Sequence, residues 1–221
     1  MNRLELDRLV TNYRPNPEAL RQQGRVALLM TVGASNSGKS TLMRASGILR
    51  VIGDCSRPPR PGERNGVDYY FRTLDEMVQD AKAGKYAQIA LGPAGDLKGT
   101  RASSYPAEGM ATIAVVPSGV QTFRELPFER TETAIIVPES YDVWMKRAAA
   151  REQDKGEAAI DYRQFASWFE FALQDSEAQF VLNDTVEAGT ARLLQVAAGK
   201  KPDDADQARR IAEEILDRLA A

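Results

Sequence analysis

Val26-Ala27-Leu28-Leu29-Met30-Thr31-Val32 runs without a break into Gly33-Ala34-Ser35-Asn36-Ser37-Gly38-Lys39-Ser40-Thr41. The first seven residues are a continuous apolar run, the pattern of a strand buried on both faces of a parallel sheet. The next nine fit G-x-x-x-x-G-K-[ST] in full. Gly33 and Gly38 permit backbone angles that turn amide N–H groups inward, so the loop becomes a nest for an anion. Lys39 adds a positive charge for terminal phosphates, and Ser40 a hydroxyl for Mg²⁺. Helical spacing follows at Leu42, Ala45, Ile48 and Leu49, which sets a helix N-terminus against the bound phosphates. Strand, loop and helix together make the match specific for a nucleotide triphosphate, held by Gly33, Ser35, Asn36, Ser37, Gly38, Lys39, Ser40 and Thr41.

Outward from this loop, Val51-Ile52 begins a second strand, and Asp54 to about Gly66 reads as loop, rich in Pro, Gly and Arg. Ala111 to Val116 and Thr133 to Val137 are further buried strands, each followed by proline and a helical pattern. Gln179 to Leu182 is another, ending at Asn183-Asp184. Residues 1–24, interrupted by Pro15 and Pro17, form an N-terminal extension with one helix. The segment Asp203 to Ala221 closes as an amphipathic helix with Ala208, Ile211, Ala212, Ile215 and Leu219 on one stripe. Short apolar strands alternating with helices predict an α/β fold, a central parallel sheet wrapped by helices in three layers.

Composition removes several classes of function. The 221 residues contain no histidine, which excludes serine–histidine and cysteine–histidine nucleophiles and histidine-ligated zinc. A formal net charge of -2 is not that of a general nucleic-acid binder. Cys55 is the single cysteine, so no intrachain disulfide forms, and a reducing, cytoplasmic setting is expected. No apolar run reaches membrane-spanning length, so no membrane association is expected.

A second stretch carries as much information. In Asp54-Cys55-Ser56-Arg57-Pro58-Pro59-Arg60-Pro61-Gly62-Glu63-Arg64-Asn65-Gly66-Val67-Asp68-Tyr69-Tyr70-Phe71, prolines stiffen the chain and hold two arginines three apart. That spacing lets both grip one phosphate through charge-assisted hydrogen bonds; a solvated basic loop is the alternative reading.

Here the chain resembles the guanylate kinase family, whose members carry S-x-T-T-R-x-P-R-x-G-E-x-N-G-x-D-Y-x-F behind the phosphate loop. Arg57, Pro59, Arg60, Gly62, Glu63, Asn65, Gly66, Asp68, Tyr69 and Phe71 reproduce it. The resemblance implies a P-loop NTPase fold with a small nucleoside-monophosphate-binding subdomain and a lid. It places the acceptor phosphate on Arg57, Arg60 and Tyr69, with Glu63 nearby. Downstream, Gly95 to Thr100 resembles G-N-Y-Y-G-[ST], whose last residue touches the base, here Thr100. Arg147, Arg151, Asp154, Ile160 and Arg163 resemble the lid pattern, so Arg147, Arg151 and Arg163 are implied to close over the transfer. Asn183-Asp184 matches the family's terminal N-D. The implied organisation is 1–24 extension, 25–53 core with the loop, 54–105 acceptor subdomain, 106–146 core, 147–165 lid, and 166–221 core with the last helix.

The departures cluster around the acceptor. Gln88 stands where the family has a base-reading glutamate, Lys98 replaces a tyrosine, and Ala114-Val115-Val116 replaces a strand end with two acidic residues. The expectation is therefore a kinase moving the γ-phosphoryl group of ATP, with Mg²⁺, to GMP, dGMP or a related nucleotide, as a monomer or homodimer. An acceptor other than GMP and a silent binding module remain as alternatives.

Overall fold

The computed structural model describes residues 2–17, 20–92, 95–155 and 161–220, and divides into two compact units. One comprises residues 1–28 and 49–131, the other 29–48 and 132–221. A five-stranded sheet has the order β2-β7-β1-β8-β9. Its strands are β1 (Val26–Val32), β2 (Leu49–Arg50), β7 (Gly109–Ala114), β8 (Arg130–Pro138) and β9 (Gln179–Asn183). β2 pairs with β7 and β8 with β9, both in parallel, as crossover connections through helices require. Every residue of β1 is buried, as its unbroken apolar run demands.

In the unit of residues 29–48 and 132–221, helix α2 (Lys39–Ala45) packs on α7 (Val186–Ala197), and α8 (Ala205–Ala220) packs on α6 (Ala166–Gln174) and β9. Leu42, Trp144, Ile136, Leu193 and Ile215 are fully buried there. The stripe expected on the last helix is its packed face: Ala208, Ala212, Ile215 and Leu219 are buried.

The other unit holds a second sheet, β4-β3-β6-β5, built from β3 (Asp54–Cys55), β4 (Tyr70–Phe71), β5 (Tyr86–Leu91) and β6 (Leu97–Arg101). Helices α1 (Arg3–Asn12) and α3 (Leu74–Lys82) cover one face, joining Leu6, Met77, Val78, Ala81, Tyr86, Ile89 and Leu97 in one apolar cluster. Helix α4 (Pro117–Glu125) lies beside β5. Among the described residues no helix is long and apolar enough to cross a membrane.

Several sequence expectations shift. The second strand is Leu49–Arg50, not Val51-Ile52, because α2 stops at Ala45 and Gly47 turns the chain at φ +69°. Ile48 and Leu49 therefore leave the helix. Asp54–Cys55 is a strand inside the segment read as loop, parallel to β4 and antiparallel to β6. β7 ends at Ala114, and Pro117 starts α4 at its first turn, where a missing N–H costs nothing. The N-terminal segment holds a helix, Arg3–Asn12, and it is anchored: Leu6 is 7% exposed in the apolar cluster.

Candidate functional site

The phosphate loop takes the conformation its glycines allow. Asn36 at φ +63° and Gly38 at φ +96° adopt left-handed backbone. A side chain at Gly33 would meet the Ile136 carbonyl at 2.7 Å and Ser37 Oγ at 2.8 Å, and one at Gly38 would collide with the Asn183 amide. Asn183, 5% exposed at the end of β9, donates from Nδ2 to the Ser37 carbonyl at 2.6 Å. Ser140 caps α5 (Tyr141–Lys155), accepting from Val143 N–H. That helix aims Trp144 Nε1–H at the Ser35 carbonyl, 2.7 Å away. Asn36 Nδ2 donates to the Tyr162 hydroxyl at 2.6 Å. Side-chain amides and an indole thus hold the loop from outside, which leaves its inner surface to a ligand. Trp144 and Tyr162 carried no sequence signal beyond their aromatic character, and the fold alone brings them to the loop.

Two observations fit a phosphate chain in this cradle. Ser37 Oγ is buried without a hydrogen-bond partner. Lys39 Nζ folds onto the Gly33 and Ala34 carbonyls at 2.6 and 2.8 Å, and lies 6.0 Å from the Trp168 ring. Ser40 stands at the start of α2, next to Lys39. Among the described residues no three acidic or thiol groups gather to hold a cation.

The residues that the resemblance assigns to the acceptor lie in or beside the second sheet. Arg60-Pro61-Gly62-Glu63 is a turn in which Glu63 N–H donates to the Arg60 carbonyl at 2.9 Å and Gly62 takes φ +79°. The turn brings Glu63 back to receive both terminal nitrogens of Arg57, at 2.7 and 2.8 Å, and Arg60 N–H at 2.7 Å. Burial opposes ionisation of Glu63, but these donors outweigh it and hold its carboxyl below the ordinary carboxylate range. The Arg57 guanidinium lies 5.6 and 5.7 Å from the rings of Tyr69 and Phe71. Arg57 is thereby fixed by Glu63, whereas the Arg60 side chain makes no hydrogen bond or close ion pair among the described residues and acts on Glu63 through its charge alone. Asn65 Oδ1 accepts from Phe71 N–H, and Asp68 Oδ2 from Arg64 N–H; these motif residues build the loop.

Gln88 and Thr100 are register partners across β5 and β6, at 6% and 4% exposure. Cross-strand partners point to the same face. Gln88 Nε2 donates to the Ile89 carbonyl at 2.9 Å, and its Oε1 makes no bond among the described residues. Lys98 supplies a cation the sequence reading gave no role: its Nζ is 3.3 Å from the Tyr69 hydroxyl, 4.8 Å from the ring centre, and 3.8 Å from Asp96.

The arginines assigned to a lid divide. Arg147 donates to the Asn183 carbonyl at 3.2 Å, beside the phosphate loop. Arg163, 78% exposed, pairs with Asp161 at 2.9 Å. The Arg151 and Asp154 side chains, and Ile160, lie outside the described residues.

Comparison with known proteins agrees with this geometry. No family model matches the chain. It is 30% identical over 175 residues to guanylate kinase of Homo sapiens, an alignment covering 74% of this chain and 88% of that protein. It is 33% identical over 135 residues to guanylate kinase of Sus scrofa, covering 57% and 68%. With guanylate kinase of Symbiobacterium thermophilum it shares 27% over 203 residues, covering 87% and 94%. The crystal structure of guanylate kinase from Anaplasma phagocytophilum superposes with a TM-score of 0.55 at 17% identity, over 81% of this chain and 88% of that one, a likeness of fold. On these similarities, carried over most of its length, the chain belongs to the guanylate kinase family as a divergent member.

Proposed function

We propose that this protein is an ATP-dependent kinase that transfers the γ-phosphoryl group to a nucleoside monophosphate, GMP or dGMP foremost, in the cytoplasm. The observation that carries the reading is that one chain holds both an intact phosphate loop and, in its other unit, an acceptor-like face. Arg57, fixed by Glu63, is joined there by Tyr69, Lys98 and the unpaired Arg60. A silent binding module has no use for a glycine cradle with an orphaned Ser37 hydroxyl.

In this reading Lys39 and the loop amides bind the terminal phosphates of ATP, and Lys39 exchanges its two carbonyl partners for phosphate oxygens. Mg²⁺, when bound, neutralises charge on the β- and γ-phosphate oxygens, and Ser40 is the residue to hold it. Arg60, Lys98 and Tyr69 bind and orient the acceptor phosphate; Arg57 shapes their surroundings through Glu63. An acceptor phosphate oxygen is already anionic, so no general base is required, and positioning with electrostatic stabilisation does the catalysis. Arg147, and by the same resemblance Arg151 and Arg163, supply charge during transfer. Gln88 Oε1 and Thr100 meet the base. Gln88 donates one N–H to the Ile89 carbonyl, and its amide offers a base one acceptor oxygen where a carboxylate would offer two. Discrimination among bases is accordingly weaker than such a carboxylate would give.

The test is ADP release, with ATP and Mg²⁺, across GMP, dGMP, AMP, CMP and UMP, with Lys39→Ala as control. Turnover strongest with a guanine nucleotide, lost in Lys39→Ala, is expected. No ADP release above the ATP-only rate with any of the five would sink the proposal.

A further inference from the structure

The second sheet has a second ligand face. Alternation along β3 sends Cys55, the register partner of Lys98 and Phe71, to the acceptor side, and Asp54, the partner of Tyr70 and Gly99, to the opposite side. There a cavity of about 460 Å³ is lined by Arg50, Asp54, Tyr70, Arg72, Arg101 and Ser104, among others. Its size is that of a small-molecule pocket.

Its charges do not cancel. Arg101 bonds to Asp54 through Nε at 3.0 Å and to Asp80 through a terminal nitrogen at 2.5 Å. Arg72 pairs with Asp80 at 3.1 Å and approaches Asp54 and Glu76 at 3.6 and 3.7 Å, and Lys85 pairs with Asp80 at 2.7 Å. Three cations thus face three carboxylates, and Arg50 is left over, without an ion-pair partner among the described residues. Ser103 and Ser104 also line the cavity. Tyr70 adds a ring at 43% exposure. Asp54, 1% exposed, keeps Oδ1 unpartnered. The lining therefore combines a free planar fork for an oxyanion, two serines and an aromatic wall.

From this constellation we infer that the cavity binds the phosphate ester of a hydroxylated small molecule, a sugar phosphate or a nucleotide. Arg50 and the serines take the phosphate, and the Tyr70 ring flanks the rest of the ligand. The site is separate from the kinase residues, since Arg57, Arg60, Tyr69, Gln88 and Lys98 belong to the other face.

The experiment is calorimetric titration of ribose 5-phosphate, AMP and orthophosphate into the full chain carrying Lys39→Ala, Arg57→Ala and Arg60→Ala, which silences the phosphate loop and the acceptor face. Saturable binding of an ester is expected, weakened about tenfold or more by adding Arg50→Ala and partly restored by Arg50→Lys, with thermal melting unchanged. AMP binding tighter than ribose 5-phosphate, with the difference lost in Tyr70→Ala, identifies a nucleotide; equal affinities identify a sugar phosphate. The proposal is overturned by absence of binding at millimolar concentrations, by indifference to Arg50→Ala, or by orthophosphate binding as tightly as the esters. No triphosphate is present and no turnover is read, so the result is independent of the kinase assay.

Discussion

In the proposed reading, Lys98 is the residue on which acceptor binding turns. A cation 3.3 Å from the Tyr69 hydroxyl adds charge where an incoming phosphate is to be held. Lys98→Met should raise the acceptor KM about tenfold while leaving the ATP KM unchanged, as steady-state kinetics with each substrate varied will report. In the proposed reading Gln88→Leu removes an amide acceptor from the base, so the ratio of kcat/KM for GMP over AMP should fall toward unity. Cys55, the cross-strand partner of Lys98, takes no part. Burial, ahead of its bond to Asp96, pushes its thiol up to about 11. Iodoacetamide at pH 8 should leave the native protein unlabelled and label it once unfolded in urea. At this scale the sequence was legible as far as residue type and spacing reach. Two arginines three apart announced a phosphate grip, but the turn through Gly62 that gives Arg57 to Glu63 and spares Arg60 depends on backbone angles. Lys98 was visible only as a departure, because its meaning lies in the ring it stands over.

At the scale of elements, the strands of the central sheet and those of the second sheet differ in how they announce themselves. β1 is buried on both faces, so it needs apolar residues throughout and reads as a strand at once. β3 and β6 carry Asp54, Lys98, Thr100 and Arg101, since one face holds site residues and the other an ion-pair network. Their hydropathy pattern is overwritten by chemistry, and two-residue strands such as β3 and β4 carry no period at all. The phosphate loop was legible as a motif, but the elements that brace it were not: Trp144 and Asn183 reach it from α5 and β9. Asn183→Ala should raise the ATP KM and destabilise the protein by about 1–3 kcal/mol, read from urea unfolding, because the Ser37 carbonyl loses its buried donor. Thr73→Ala, which breaks the capping box of α3, should cost about 1 kcal/mol in the same assay without changing either KM.

For the whole molecule, two carboxyls pull the acid response in opposite directions. Burial, more than the opposing Tyr86 bond and Arg72 charge, raises Asp54. The folded protein therefore holds this proton to higher pH than the unfolded chain, and stability rises as pH falls into the window above the ordinary carboxylate pKa. Glu63 is lowered, so its contribution is complete above that pKa and disappears as pH drops through its lower folded value. Urea midpoints should thus change little from neutral pH into the mildly acidic range and fall below it. Asp54→Asn should remove the compensating rise, and Glu63→Gln should lessen the final fall.

The docking of helix α1 has a consequence for solubility. β5 is the outer strand of the second sheet, and an outer strand with open backbone groups is a template on which another chain adds itself. The Tyr13 hydroxyl accepts from the Tyr86 N–H at 3.1 Å and donates to the Tyr86 carbonyl at 2.5 Å, closing both groups at the point where β5 bulges. Removing residues 2–14 would strip that guard and bare the apolar cluster beneath Leu6. On gentle warming the shortened chain should scatter light and bind thioflavin under conditions in which the intact protein stays clear, and Tyr13→Phe, which keeps the ring and loses the hydroxyl, should fall between them.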